Sequence, residues 1–305
     1  MSTGATTLTA DTRPHWLAKI GDYVELTKPR IMMLELVAVV AAMWLAVEMT
    51  GSALWTASVI ASTIIGTALL AASANAINMY IERGLDRMMT RTAGRPLPSG
   101  RLAPWQAAAF GVATLSVGVT VLALGANWLT ALIGVVSWFL YVAVYTPMKT
   151  RSTFNTTVGA VSGALPILMG WTAGGGGFDL TAAGLFGVLM LWQYPHFMAI
   201  AWLCREDYAR AGYQMSTVVE PTGLRAGAVA VIGAALLLPV GLLPGVASNG
   251  AAPMYATAAV LLAVGLMLAA ALFLVSRTDR SAKRLLRASL LYLPLWLLAT
   301  WLLLP

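Results

Sequence analysis

Asn78, Glu82 and Asp86 stand at i, i+4 and i+8 in the run Asn78-Met-Tyr-Ile-Glu82-Arg-Gly-Leu-Asp86. On an α-helix this spacing puts three oxygen-bearing side chains on one face, successive residues about 6 Å apart along the axis. A row of hard oxygen donors suits Mg²⁺ shared with phosphate oxygens. The competing reading is a polar helix end that faces water. Arg83, Arg87, Arg91, Arg95 and Arg101 surround the row, and Arg95-Pro-Leu-Pro-Ser-Gly closes it. Acidic ligands beside arginines make sense where a metal-bound diphosphate must be held. The competing reading of each arginine is membrane topology alone.

A second cluster reads Trp192-Gln-Tyr-Pro-His196-Phe, followed by Arg205-Glu206-Asp207-Tyr208. Two acidic clusters imply two metal positions, the second on Glu206 or Asp207. A third element is Tyr145-Thr-Pro-Met-Lys149. Lys149 would reach a phosphate there, and Tyr145 would donate a hydrogen bond. His196 is read either as a contact to a bound substrate or as a helix-packing histidine. Glu35 sits about one turn into an apolar run, where an ionisable residue faces protein or water rather than lipid; pairing with an arginine is the reading taken. Gly174–Gly177 has no GK[ST] after it, so it reads as a turn before a helix capped by Asp179 or Thr181.

The elements that must position these residues are apolar helices. Of 305 residues 59% are apolar and 10% charged, against about 25% charged in soluble domains. Nine runs are long enough to cross about 30 Å of hydrocarbon: Ile31–Val47, Leu54–Tyr80, Ala103–Leu124, Trp128–Tyr145, Thr156–Ala173, Thr181–Leu203, Ala226–Val246, Met254–Val275 and Leu285–Leu304. The second is too long for a simple span, so its end should project beyond the bilayer. All 19 Lys and Arg fall in the N-terminal segment and in the gaps after runs two, four, six and eight. By the positive-inside rule the N-terminus, including Arg13, is cytoplasmic and the C-terminus external. The expected fold is all-α: about nine transmembrane helices around an intramembrane cavity, with a polar segment over 1–25 and one transmembrane domain over 26–305. The net charge of +7 does not indicate nucleic acid, because the basic residues lie in short gaps between apolar runs. One cysteine and two histidines exclude a disulfide framework and a zinc site. The first 22 residues lack the pattern of a cleaved signal peptide.

Asn-x-x-x-Asp/Glu-x-x-x-Asp on the second helix, Tyr-x-x-x-Lys after the fourth and an acidic cluster after the sixth resemble the UbiA superfamily of intramembrane prenyltransferases. More narrowly, Leu-Thr-Lys28-Pro-Arg30-Ile, Asn78-Met-Tyr-Ile-Glu82-Arg, Arg95-Pro-Leu-Pro-Ser-Gly-Arg101, Pro195-His196-Phe and Glu206-Asp207-Tyr208 are similar to its haem O synthase branch. Glu82 stands where quinone-pathway members usually have Asp, and Cys204 and Tyr208 fall where their second pair of Asp would align. The resemblance implies farnesyl diphosphate and haem b as substrates, Mg²⁺ as cofactor and membrane lipid as surroundings. It also implies haem A synthase or terminal-oxidase assembly factors as partners, and an inner-membrane location. The implied catalytic residues are Asn78, Glu82, Asp86 and Asp207, with Glu206 as the alternative ligand of the second metal. The implied substrate-binding residues are Lys28, Arg30, Arg83, Arg87, Arg91, Arg95, Tyr145, Lys149, Arg151, His196, Arg205 and Tyr208. Prenylation of an aromatic quinone precursor is the competing enzymatic reading. Secondary transport is disfavoured, because transporters hold coupling charges near the midplane and these clusters lie at helix ends.

Overall fold

A computed structural model describes residues 15–247 and 253–304. Arg13, Pro305 and the rest of the chain's two ends lie outside the described residues. The first element is a short helix, α1 (His15–Thr27), within the stretch expected to be only a polar segment. Then come α2 (Pro29–Thr50), α3 (Ala57–Asp86), α4 (Pro104–Gly125) and α5 (Trp128–Phe139). A π-helical turn (Leu140–Tyr145) carries α5 into α6 (Thr146–Met148). Next are α7 (Asn155–Ala173), α8 (Leu180–Leu203), the short α9 (Arg205–Arg210) and α10 (Ser216–Val219). The chain ends with α11 (Leu224–Val240), α12 (Leu243–Ala247), α13 (Pro253–Ser276) and α14 (Asp279–Leu303). The described residues contain no strand.

Eight of these helical stretches are long and apolar enough to cross a membrane, so this is a multi-pass membrane protein. The ninth expected span corresponds to α7, which falls outside that set. Its sequence is interrupted by Asn155, Thr156, Ser162 and several glycines, and 14 of its 19 residues are buried. A helix enclosed by other helices has no lipid face to keep apolar. It packs on α2, α5 and α8, while α3 pairs with α4, and α8 also packs on α11 and α14.

Local chemistry sets the ends of these helices. The side chains of Thr56, Asn127, Asp179 and Thr278 accept from backbone N–H groups of their first turns, replacing helical partners that the first turn lacks. Asp179, rather than Thr181, is thus the cap of α8. Pro29 and Pro104 open α2 and α4, where a missing N–H costs nothing. Gly174–Gly177 is a turn packed on Trp171, whose Nε1 donates to the Gly177 carbonyl at 2.7 Å. A Cβ on Gly176 would lie 2.3 Å from that indole. At 30 residues α3 is about 45 Å long. That exceeds the hydrocarbon thickness, as the length of the second apolar run predicts.

Candidate active site

Asn78, Glu82 and Asp86 form one fully buried row on α3, exposed by no more than 3% each. Burying two carboxylates is costly unless they are paired, and each member of the row meets a polar or cationic partner. Lys28 Nζ donates to Asn78 Oδ1 at 3.1 Å. Lys149 Nζ lies 2.7 Å from Glu82 Oε1. Arg95 donates to both oxygens of Asp86, at 2.9 and 3.1 Å.

The elements that bring these cations in are strained or irregular. Lys28 joins α1 to α2 in the left-handed region, with φ of 51°. The proline that follows disfavours the helical conformation at Lys28. The bend is secured by the Asn78 contact and by Asn75, which donates to the Thr27 carbonyl at 3.0 Å. Lys149 follows the π turn, and Pro147 accounts for that turn: a proline cannot donate to the carbonyl four residues back and its ring clashes there. The Thr146 N–H instead donates to the Tyr141 carbonyl, five residues back, and its Oγ1 donates to the same carbonyl at 2.9 Å and accepts from Asn78 Nδ2 at 3.0 Å. The extra residue brings Tyr145 beneath Lys149, whose ammonium lies 4.7 Å from the ring centroid. A Cβ on Gly159 would meet that ring at 2.8 Å, so only glycine admits Tyr145 there.

Electrostatics follow from burial. Burial pushes the Lys28 ammonium down to about 7, helped by Arg95 and Lys149 and opposed by Glu82 and Asp86. Burial also lowers Lys149, but the oxygens of Tyr145 and Glu82 outweigh it and hold its pKa well above the ordinary range. Tyr213, absent from the sequence-derived set, stands beside this cluster. Its ring centroid is 5.8 Å from Lys149 Nζ, and its buried hydroxyl stands beside Glu82. Burial first, and Glu82 next, raise its pKa far above a free tyrosine's. The next residue fastens the loop: Gln214 N–H donates to the Lys149 carbonyl at 2.6 Å and the Gln214 carbonyl accepts from Asn155 at 3.1 Å. Nothing local in the sequence marks Tyr213 except the turn at Gly212, with φ of 71°.

The second acidic cluster docks on the loop after α3. Asp207 accepts from Thr90 N–H at 3.3 Å and pairs with Arg210, which also reaches Thr90. Burial would raise the Asp207 carboxyl, but Arg210 and the Thr90 N–H outweigh it and hold it below the usual range. Glu206 is exposed and without a polar partner. Tyr208 packs on Tyr213, ring centroids 5.8 Å apart, and burial pushes its hydroxyl up to about 12.

Several expected substrate contacts lie elsewhere. Arg83 and Arg87 follow Glu82 and Asp86 by one residue, about 100° around the helix, and turn away from the row into a separate groove. Arg205 lies over Trp202 and pairs with Asp279 at 3.0 Å. Arg30, Arg91 and Arg151 are exposed, with no ion-pair partner among the described residues. Glu35 likewise has no arginine partner, against the expected pairing. His196 is apart from the acidic row, on the α14 side of α8. Its Nδ1 is 3.0 Å from Ser289 Oγ and its ring stacks on Trp192 at 4.9 Å, while Nε2 is unengaged. Trp192 in turn donates to the Ser289 carbonyl at 2.6 Å.

The donor set is all oxygen and buried, two carboxylates and one amide, and this fits Mg²⁺. The cations around it match a metal-bound diphosphate, since the same side chains that neutralise the carboxylates are phosphate ligands.

Residues 36–302 match the model of the UbiA prenyltransferase family. The chain is 45% identical to the protoheme IX farnesyltransferase of Rhodopirellula baltica over 282 residues, 90% of this chain and 97% of that protein. It is 42% identical to the protoheme IX farnesyltransferase of Solibacter usitatus, covering 90% and 95% of the two chains. Among solved structures, one described as digeranylgeranylglyceryl phosphate synthase aligns with TM-score 0.75 at 17% identity, over 94% of this chain and 98% of that one. A UbiA homolog from Archaeoglobus fulgidus bound to GPP and Mg²⁺ aligns with TM-score 0.63 at 16% identity, over 92% and 99%. At these identities the two structures bear on the fold alone.

Proposed function

The chain belongs to the UbiA prenyltransferase family, and from that premise we propose that it transfers a farnesyl group from farnesyl diphosphate to a vinyl group of haem b. Water adds to the same substituent, and the products are haem O and diphosphate. The observation that carries this reading is the buried Asn78–Glu82–Asp86 row ringed by Lys28, Lys149 and Arg95, in a chain 45% identical to a protoheme IX farnesyltransferase.

Ionising an allylic diphosphate requires the leaving group's charge to be neutralised. Mg²⁺ supplies part of that neutralisation when bound, held by Asn78, Glu82 and Asp86, with Asp207 the candidate for a second ion. Asp207 is preferred over Glu206, because it already faces the loop after α3. Lys28, Lys149 and Arg95 bind the diphosphate and keep its departing oxygens charge-paired. Tyr145 places its ring beside Lys149 and so fixes the ammonium. Burial of the row excludes water from the allylic cation until the haem vinyl group attacks it. His196, with Nε2 free, is the candidate haem contact. The arginine-rich loops support a cytoplasmic N-terminus and an external C-terminus, in a bacterial-type inner membrane, by the positive-inside rule.

The test is a choice of acceptor. Purified protein given labelled farnesyl diphosphate and Mg²⁺ should label haem b and leave 4-hydroxybenzoate unlabelled. Labelling of 4-hydroxybenzoate with haem b untouched would replace this function with quinone-precursor prenylation.

A further inference from the structure

A groove of about 470 Å³ lies on the opposite face of α3 from the acidic row. Arg83 and Arg87, one helical turn apart, line it together with Ile81, Leu97, Leu102 and Pro104. Arg83 donates to the Tyr80 carbonyl at 2.6 Å and lies over the Tyr80 ring at 4.6 Å. Arg87 Nε donates to the Pro98 carbonyl at 3.0 Å. Each guanidinium is thereby oriented, and each keeps further N–H donors free. Neither has a carboxylate within ion-pair distance among the described residues, whereas Arg95, Arg101, Arg205 and Arg210 all do. Two oriented, unneutralised guanidinium groups one turn apart make a fork for phosphate oxygens.

The groove's position selects the kind of phosphate. It lies where α3 ends and α4 begins, at the level where the apolar helices give way to arginine-rich loops. Trp105, 70% exposed beside Pro104, is the residue type found at a membrane–water border. Ile81, 41% exposed, is an apolar residue of the groove's wall that is open to the surroundings. A ligand matching these features has an anionic phosphate head and a hydrocarbon tail lying in the bilayer.

We propose that this groove binds the headgroup of an anionic membrane phospholipid, its phosphate held by Arg83 and Arg87 and its acyl chain leaving along Ile81. The binding is independent of the proposed reaction. It has a consequence for it, because Arg87 also fastens Pro98, in the loop that presents Arg95 to Asp86. A bound lipid therefore buttresses that loop from behind.

Full-length protein, purified in detergent and stripped of lipid, tests this by native mass spectrometry. It is titrated with phosphatidylglycerol or phosphatidylcholine, then with inorganic diphosphate or farnesyl diphosphate as competitors. Two variants act differently. Arg83→Gln with Arg87→Gln removes the charge. Gly84→Leu plugs the groove, since a Cβ there meets nothing within 4 Å. The wild type should prefer phosphatidylglycerol by about tenfold or more, as expected for charge-assisted hydrogen bonds. Both variants should lose that preference while keeping their helical circular dichroism, and Arg83→Lys with Arg87→Lys should keep most of it. Undiminished preference in the double Gln variant and in Gly84→Leu would overturn the proposal. Displacement of the lipid by inorganic diphosphate or farnesyl diphosphate would also overturn it, assigning the groove to a soluble phosphate.

Discussion

At the scale of single residues, the acidic row acts as a unit, and its energetic role is clearest at Asp86. Asp86→Asn keeps size and hydrogen-bonding capacity but removes the charge that Arg95 and the metal share. Turnover should fall by about 10²-fold or more, roughly 2.7 kcal/mol, by comparison with other electrostatic stabilisers. Steady-state assays on folded protein check this. Met79, the neighbour of Asn78 in sequence, is fully buried with Leu26, Ala76 and Leu97. Met79→Ala should therefore cost stability, about 2–5 kcal/mol, and little of the turnover of the protein that remains folded. His196→Ala should weaken haem binding, read from the haem absorbance titration, and leave farnesyl diphosphate binding nearly intact. Unchanged haem spectra and turnover would return His196 to packing against Ser289 and Trp192. The row itself was legible from spacing, and so in principle was the turning away of Arg83 and Arg87, since both are offset by one residue from the acidic face. Tyr213 was not legible: its place beside Lys149 depends on a loop folding back from α9, which no local pattern encodes.

At the scale of elements, the site depends on two departures from regular helix and on close helix approach. The π turn and the left-handed bend at Lys28 were invisible in apolar periodicity, though Pro147 and Pro29 mark where each occurs. Close approach is sharpest where α7 crosses α2. A Cβ on Gly170 would lie 1.9 Å from the carbonyl oxygen of Val39. That neighbour is backbone, so relief requires the helices to part. Gly170→Ala should cost about 1–3 kcal/mol, the usual range for overpacking, seen as a lower thermal midpoint in detergent. Gly177→Ala, where a Cβ meets nothing within 4 Å, should stay within about 0.5 kcal/mol of the wild type. Equal midpoints for the two variants would contradict the packing described for α7. The run of apolar residues predicted α7 as a span, yet apolarity alone does not distinguish a lipid-facing helix from an enclosed one. Helix α1 was missed for the complementary reason. Its exposed Trp16, Ile20 and Val24 sit at helical spacing in a stretch too short and polar to register as a span.

At the scale of the whole molecule, the grouping of Lys and Arg into alternate gaps predicts opposite sides of the membrane for the two ends of the chain. Alkaline phosphatase fused after Pro305 should be active, and a fusion near Arg280 should be nearly inactive; the reverse pattern would contradict the orientation. Three separate segments converge at one end of the bundle: the end of α3, the turn after α6 and the loop after α9. The proposed diphosphate chemistry rests on their convergence on one buried row. The central claim is that this row, in this chain, serves farnesyl transfer to haem b. It is tested most directly by mass spectrometry of haems extracted from cells overexpressing the wild type or Asp86→Asn. Haem O should accumulate with the wild type and stay at the level of the empty vector with Asp86→Asn. Equal accumulation from both proteins would remove the acidic row from the reaction, and no haem O from a folded wild type would contradict the reaction itself.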